Sequence, residues 1–157
     1  GGVIADLGSH LLDIVRFVFA QPPEDFRLRT VRRFENEAPD HAVCVADGPP
    51  LVELEMSLVS WRNHFAADVY GEHGSAHIDS LCKWGPSTFV ERRRVLPSGR
   101  PPEESEVLER SDPTWELEYA HFKALCAEGG PGNTENDLWM NPILNRLTSA
   151  ALEETGP

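Results

Sequence analysis

The sequence predicts an α+β protein with a largely antiparallel, open-faced sheet and helices on one face of that sheet. Two observations lead to this fold class. The middle of the chain alternates apolar and polar residues between short turns, whereas both ends have helical periodicity. Strands joined by short turns pair antiparallel, because a parallel connection needs a crossover of a dozen or more residues.

The first predicted element is a helix over about Ser9–Phe19, where apolar residues recur at helical spacing. Ser9 is a plausible N-cap, because its hydroxyl can accept a backbone N–H. Pro22 and Pro23 end the element.

Seven strands are predicted next. The clearest is Val52–Leu58, in which every second residue is apolar and the residues between them are polar. The segment Gly71–Gly74 has the composition of a hairpin loop. The predicted strands are Phe26–Phe34, His41–Ala46, Val52–Leu58, Phe65–Val69, Ser75–Asp79, Phe89–Val95 and Glu106–Leu108.

Two helices are predicted in the last third. Asp112 and Pro113 begin one of them, as an N-cap and a first-turn proline, and Gly129–Gly130 ends it. Asn141–Pro142 begins the other. Two sets of residues at helical spacing would form core stripes on these helices: Trp115, Tyr119, Phe122 and Cys126 on the first, and Ile143, Leu147 and Ala151 on the second.

Size, charge and cysteine content limit the functional classes. A chain of 157 residues is expected to be one domain spanning residues 1–157. A net charge of -12 repels nucleic acid and anionic lipid, so neither is an expected partner. The sequence contains no run of about 18 apolar residues, so it predicts no membrane-spanning helix. The three cysteines lack a C-x-x-C motif, which favours reduced packing cysteines and a cytoplasmic location.

The candidate site lies near the start of the chain. Asp6, His10 and Asp13 follow one another at i, i+4 and i+7, so on a helix they share one face. A carboxylate beside an imidazole favours the protonated ring and fixes its tautomer, which is how a general acid or base is oriented. Two other interpretations stay open: a purely structural helix start, and a metal site of two carboxylates and one histidine.

Other residues suggest less chemistry. The five remaining histidines are scattered through strand and helix positions and are expected to be structural. No G-x-S-x-G motif is present, so the sequence gives a serine hydrolase no support. Arg92–Arg94 is interpreted as a solvated strand end rather than as a phosphate site.

The opening segment Gly1–Phe17 resembles the start of the second domain of the glucose–fructose oxidoreductase / inositol dehydrogenase / MocA family. Two later stretches are similar to the same domain. Gly71–Ala76 is similar to its G-x-x-G-[ST] hairpin. Tyr119–Phe122 followed by Asn145–Ala150 is similar to its closing helices.

This resemblance implies a fold like the C-terminal domain of glyceraldehyde-3-phosphate dehydrogenase. It also implies a catalytic role for His10, with Asp6 orienting it. Asp13 would be a supporting group, and Trp61 and Arg62 would rim the substrate pocket. The expected substrate is a sugar, a polyol or an inositol-like compound.

By the same resemblance, NAD or NADP would be bound by a Rossmann domain that precedes this one. The chain has no strand followed by G-x-G-x-x-G and no Glu-Lys-Pro motif. We therefore expect it to be the substrate and assembly half of a two-domain enzyme, inactive in isolation and without a metal. Members of the family commonly pair through the open face of the sheet, so a homodimer or homotetramer is expected. Glu53, Glu55 and Tyr70 would lie on that face. The alternative is a non-catalytic binding or oligomerisation module with the same fold.

Overall fold

The computed structural model describes residues 2–130 and 132–154. The chain divides into two compact units: the first combines the residues up to Trp61 with those after Gly130, and the second is Arg62–Gly130. In chain order the elements are α1 (Val3–Val18), β1 (Arg27–Arg32), β2 (His41–Ala46), β3 (Val52–Ser57), β4 (Ala66–Gly71), β5 (Gly74–Asp79), β6 (Ser87–Arg93), β7 (Glu103–Leu108), α2 (Thr114–Glu128) and α3 (Thr134–Glu153).

The first unit is a three-stranded antiparallel sheet, β1-β2-β3, with α1 and α3 packed on one face. The inward residues of β2 are small, namely Ala42, Cys44 and Ala46, so the helices can approach the sheet closely. Burial raises the pKa of the Cys44 thiol to about 12, which keeps it protonated at neutral pH. Cys44 is therefore a packing residue. The buried apolar core is Val3, Ile4, Leu12, Val15, Phe26, Val31, Ala42, Cys44, Ala46, Val52, Met56, Ile143, Leu147 and Ala151.

A side chain from the sheet region closes the end of α3. The guanidinium of Arg33 donates from Nη2 to the carbonyl oxygen of Ala151 at 2.6 Å and from Nη1 to that of Glu154 at 3.0 Å. The last carbonyls of a helix lack partners within the helix, and a cation there is favoured by the helix dipole. Arg33 thus fixes the C-terminal end of α3 to the chain segment that follows β1.

The second unit is a four-stranded antiparallel meander, β4-β5-β6-β7, together with α2. Gly74, the first residue of β5 after the β4–β5 turn, must be a glycine, because a Cβ there would lie 2.1 Å from the Arg92 carbonyl oxygen. None of the described residues between Arg62 and Gly130 is fully buried. The unit is therefore a thin layer rather than a closed core.

The α+β class and the antiparallel pairing are confirmed. The strand segments are all present, although they fall into two sheets rather than one. Tyr70 on β4 therefore does not lie on a strand next to β3, where the sequence analysis placed it. The Gly71–Gly74 turn joins β4 to β5 as predicted.

The predicted start of the first helix is wrong. The helix begins at Val3, and Ser9 lies inside it, where its hydroxyl donates to the Asp6 carbonyl oxygen at 2.8 Å. Val3 and Ile4 are both buried. Burial of these two side chains extends the apolar face of the helix beyond the point where a polar cap was expected.

Two predictions about the closing helices are also wrong. No described residue of α2 is buried, and Trp115 in its expected core stripe is 73 % exposed. Asn141 and Pro142 lie inside α3, not at its start. The end of α2 at Gly129, in the left-handed conformation, and the buried stripe of Ile143, Leu147 and Ala151 are confirmed.

No helix in the described part of the chain is long and apolar enough to cross a membrane.

Candidate active site on helix α1

Helix α1 has one buried face and one exposed face. The buried face, formed by Val3, Ile4, Gly8, Leu12 and Val15, packs mainly against α3 and β3. Gly8 lies at the closest approach, where an added Cβ would be 3.3 Å from the Met56 sulfur and 3.5 Å from Leu144. This packing fixes the rotation of the helix about its axis, and thereby decides which residues face outward.

The exposed face carries Asp6, His10 and Asp13, as the spacing predicts. Phe17, one turn further, continues the same line and is 90 % exposed. Within the described residues, no hydrogen bond or ion pair joins the Asp6 carboxylate to the His10 imidazole. On a helix the two Cβ atoms stand about 5–6 Å apart, so side-chain rotation is enough to bring the two groups together.

Asp13 is fixed by a contact that the sequence analysis did not find. The side-chain amide of Asn136, near the start of α3, donates to the Asp13 carboxylate. Asn136 is buried, and its Oδ1 atom has no hydrogen-bond partner among the described residues. The contact ties the exposed face of α1 to α3. This suits a supporting residue better than a group that meets the substrate.

Asp40 holds the loop that contacts the start of α1, and sequence reasoning missed it. The backbone N–H of Val3 donates to the Pro39 carbonyl oxygen at 2.8 Å, next to Asp40 in the chain. The Asp40 side chain is fully buried, and its carboxylate accepts the backbone N–H groups of Phe34, Glu35 and Asn36.

The hydrogen bond from the Phe34 backbone N–H, followed by those from Glu35 and Asn36, holds the pKa of Asp40 below its ordinary value. A carboxylate that binds the backbone of its own loop leaves no periodic pattern in the sequence. A single Asp after a proline was the only available signal.

Trp61 and Arg62 lie where the two compact units divide. Trp61 belongs to the first unit, is 87 % exposed and has a positive φ of 59°. Arg62 belongs to the second unit and is exposed. Their role in substrate binding stays a prediction.

The sequence raised two kinds of bound group, a metal ion and a nicotinamide dinucleotide. Among residues 2–130 and 132–154, no group of three or more His, Cys, Asp or Glu side chains is placed to hold a metal ion. A dinucleotide does not fit the described elements either. All their strand pairs are antiparallel, whereas the pyrophosphate site of a dinucleotide fold lies between a parallel strand and a glycine-rich helix start. The first turn of α1 also carries Asp6, whose charge opposes a phosphate.

Comparison with known proteins gives one family. Residues 1–77 match the family model described as the GFO/IDH/MocA C-terminal domain. The matched region includes α1 with Asp6, His10 and Asp13, as well as β4 and the first four residues of β5. No curated protein and no solved structure matched the chain. The chain is therefore similar to the GFO/IDH/MocA C-terminal domain over residues 1–77, just under half of its 157 residues.

Proposed function

We propose that this chain is the substrate-binding and catalytic part of an oxidoreductase. The enzyme would interconvert a hydroxyl and a carbonyl group on a sugar, a polyol or an inositol-like compound. One observation carries the proposal: the family match includes α1, on whose exposed face an imidazole and a carboxylate stand one turn apart. Because the opposite face of α1 is buried, the backbone under both groups is held in place.

In this proposal His10 moves the proton of the reaction. A secondary alcohol is a poor hydride donor until its O–H proton is shared with a base. The imidazole of His10 takes that proton from the hydroxyl oxygen in oxidation and returns it to the carbonyl oxygen in reduction. Asp6 orients the ring and supports its positive charge. Asp13 fixes the position of the exposed face of α1 through its hydrogen bond with Asn136 on α3.

The cofactor of the proposed enzyme is NAD or NADP, held by residues other than those described. Calorimetric titration of NADH and of NADPH into this chain should therefore give no binding below millimolar concentration, since the strand pairs among the described residues are all antiparallel and do not form the parallel strand, glycine loop and helix that receive a pyrophosphate. Sub-millimolar binding by this chain would contradict the two-domain interpretation.

The catalytic proposal is tested in the enzyme expressed from its complete reading frame. Turnover of a panel of sugars and polyols is followed by nicotinamide absorbance. His10→Asn should lower turnover by roughly 10²–10⁴-fold with an unchanged circular dichroism spectrum, the usual effect of losing an acid or base. Asp6→Asn should lower turnover and shift the pH profile, because the orienting charge is lost.

His64→Asn is the matched control, because His64 is an exposed histidine outside α1. Its turnover should equal that of the unmodified enzyme. Near-normal turnover of His10→Asn would return His10 to a structural role.

The second candidate function is a non-catalytic binding or assembly module. It is favoured by the lack of any hydrogen bond between Asp6 and His10 in the described part of the chain. Absence of turnover across the whole panel, with the complete protein folded and without affinity for NADH or NADPH, would support the module.

A reducing, cytoplasmic location belongs to the same proposal. It is supported by three free thiols: Cys44 is buried, Cys82 is half-buried and Cys126 is exposed.

A further inference from the structure

The second unit places three chemically complementary side chains on one face of its sheet. Asp68 on β4 lies directly opposite His77 on β5 in the strand register. Ser75 precedes His77 by two residues on the same strand, so both side chains point to the same face. None of the three belongs to the α1 site.

Hydrogen bonds join these residues in a fixed order. The Ser75 hydroxyl is 2.8 Å from Nε2 of His77, and Nδ1 of His77 is 2.5 Å from a carboxylate oxygen of Asp68. With the proton of the neutral ring on Nδ1, His77 donates to Asp68, and its Nε2 accepts the O–H of Ser75. A carboxylate that orients an imidazole, which in turn accepts the proton of a serine, is the arrangement that activates a serine nucleophile.

The imidazole is held and partly shielded. The side chain of His77 is 18 % exposed, and the Tyr70 ring stands edge-on to it at 5.6 Å between ring centroids. Both nitrogens of the ring are engaged by neighbours on the same face. The ring is therefore fixed in the orientation that proton transfer from Ser75 requires.

A shallow cavity of about 220 Å³ lies beside the serine. Tyr70, Ser75 and Arg92 are among the residues that line it. Arg92 lies opposite Ser75 on β6, and its Nε donates to Glu103 at 2.7 Å, which holds the guanidinium over this face. A fixed cation next to a nucleophile stabilises negative charge that develops on an attacked carbonyl oxygen. The volume suits an acyl group of a few carbon atoms.

We propose that Ser75 is an activated nucleophile that accepts short acyl groups from esters, with His77 as the base, Asp68 as its orienting group and Arg92 as the charge-stabilising cation. The absence of a G-x-S-x-G motif does not contradict this proposal, because such constellations are defined by geometry and not by sequence order.

The reaction balances without an oxidant or reductant. Ser75 Oγ bonds to the carbonyl carbon while its proton passes to His77 Nε2. The ester C–O bond breaks, and the leaving oxygen takes the electron pair and then the proton from His77. Water attacks the acyl–serine ester, gives a proton to His77, and releases the carboxylic acid as Oγ regains its hydrogen.

The experiment uses p-nitrophenyl acetate and diisopropyl fluorophosphate on the intact chain. Mass spectrometry with peptide mapping should find one adduct per chain, located on Ser75, and the adduct should block ester hydrolysis. Ser75→Ala should abolish the adduct. His77→Gln should slow its formation by roughly 10²–10⁴-fold, the usual cost of a lost base. Asp68→Asn should slow it by about tenfold, because the ring then loses the charge that orients it.

Ser105→Ala provides the matched control, because Ser105 is an exposed serine on β7 of the same sheet. Its labelling rate should equal that of the unmodified chain, and circular dichroism should confirm that each variant is folded. The absence of an adduct, an adduct spread over several residues, or an unchanged rate in folded His77→Gln would each overturn the proposal. The proposal needs no nicotinamide, so its failure leaves the oxidoreductase proposal untouched.

Discussion

At the scale of single residues, the buried carboxylate of Asp40 organises the loop between β1 and β2. It collects three backbone N–H groups from the segment after β1, and the neighbouring Pro39 receives the first N–H of α1. The first turn of the candidate catalytic helix is therefore joined to this loop. A change at Asp40 should act on the position of α1 without touching its exposed face.

Asp40→Asn should lower the midpoint of thermal unfolding by several degrees at pH 7. The amide NH₂ group would replace one carboxylate oxygen and would face backbone N–H groups that then have no acceptor. The pH dependence should also change. The folded pKa of Asp40 is depressed, so its stabilisation is complete above the unfolded value of about 3.9 and is lost as the pH falls through the folded pKa.

Thermal melts of the unmodified chain between pH 7 and pH 2 should thus lose stability below about pH 4, and Asp40→Asn should lose less over that interval. Asp25→Asn provides the control, since Asp25 is an exposed aspartate of the same unit. Equal acid sensitivity in all three proteins would contradict this role for Asp40.

The residues that sequence reasoning found and missed differ in the kind of signal they carry. Asp6, His10 and Asp13 were found because their helical spacing can be recognised in the sequence and because the segment is a helix in the structure. Asp40, Asn136 and the Ser75–His77–Asp68 set depend on partners that the chain brings together only after folding. The Gly71–Gly74 hairpin predicts that β4 lies beside β5, but the contact of Asp68 with His77 also depends on the strand register and on the side-chain rotamers, which the sequence does not show.

At the scale of elements, α1 combines a structural face with a candidate chemical face. Leu12 is buried against the core, whereas Phe17, five residues later on the same helix, is exposed. The two residues therefore allow the two faces to be probed separately by the same type of substitution.

Leu12→Ala should lower the free energy of unfolding by about 2–5 kcal/mol, because it removes buried methyl groups and leaves a cavity. Phe17→Ala should change it by less than about 0.5 kcal/mol, as expected for an exposed site. Urea titration followed by circular dichroism measures both values. Similar losses in the two variants would mean that the exposed face of α1 is covered in solution.

The helix ends illustrate where sequence signals compete. Gly129 ends α2 in the left-handed conformation that glycine favours, as predicted. Asn141–Pro142 gave an equally strong start signal, yet α3 begins at Thr134 and continues through the proline. The part of α3 before Pro142 contains the buried Asn136, which donates a hydrogen bond to Asp13 on α1. This contact stabilises the helical conformation on the N-terminal side of the proline. Tertiary contacts outweighed the local preference.

The strands were easier to predict, because the alternation in Val52–Ser57 requires one buried and one exposed face. The division of the strands between two sheets could not be predicted in the same way. Alternation specifies which face of a strand is buried, but not which strand lies beside it.

At the scale of the whole molecule, the outer face of the first sheet suits pairing with a second copy. Its central strand exposes Val43 and Val45 in part, and β3 exposes Glu53 and Glu55. The outer strand β1 exposes Arg27, which lies opposite Val45 in the register and therefore on the same face. A two-fold axis parallel to the strands would place β1 of one copy over β3 of the other and thus arginine over glutamate.

We therefore propose a homodimer through this face, and expect light scattering to give twice the chain mass down to low micromolar concentration in moderate salt. The double substitution Glu53→Arg with Glu55→Arg should produce monomers, because it sets like charges against each other. Glu116→Arg with Glu118→Arg is the control on exposed positions of α2. A monomer mass for the unmodified chain throughout the dilution series would contradict this assembly.

The order of the second sheet leaves β7 at its edge, with β6 as its partner and every residue of the strand exposed. An edge strand offers unpaired N–H and C=O groups to any other extended chain, and charged side chains are a common protection against such pairing. Half of β7 is glutamate, at positions 103, 104 and 106. The three carboxylates are therefore expected to protect the edge strand against pairing with other chains and fibre growth. Substitutions that make the protein less acidic should leave these three glutamates unchanged.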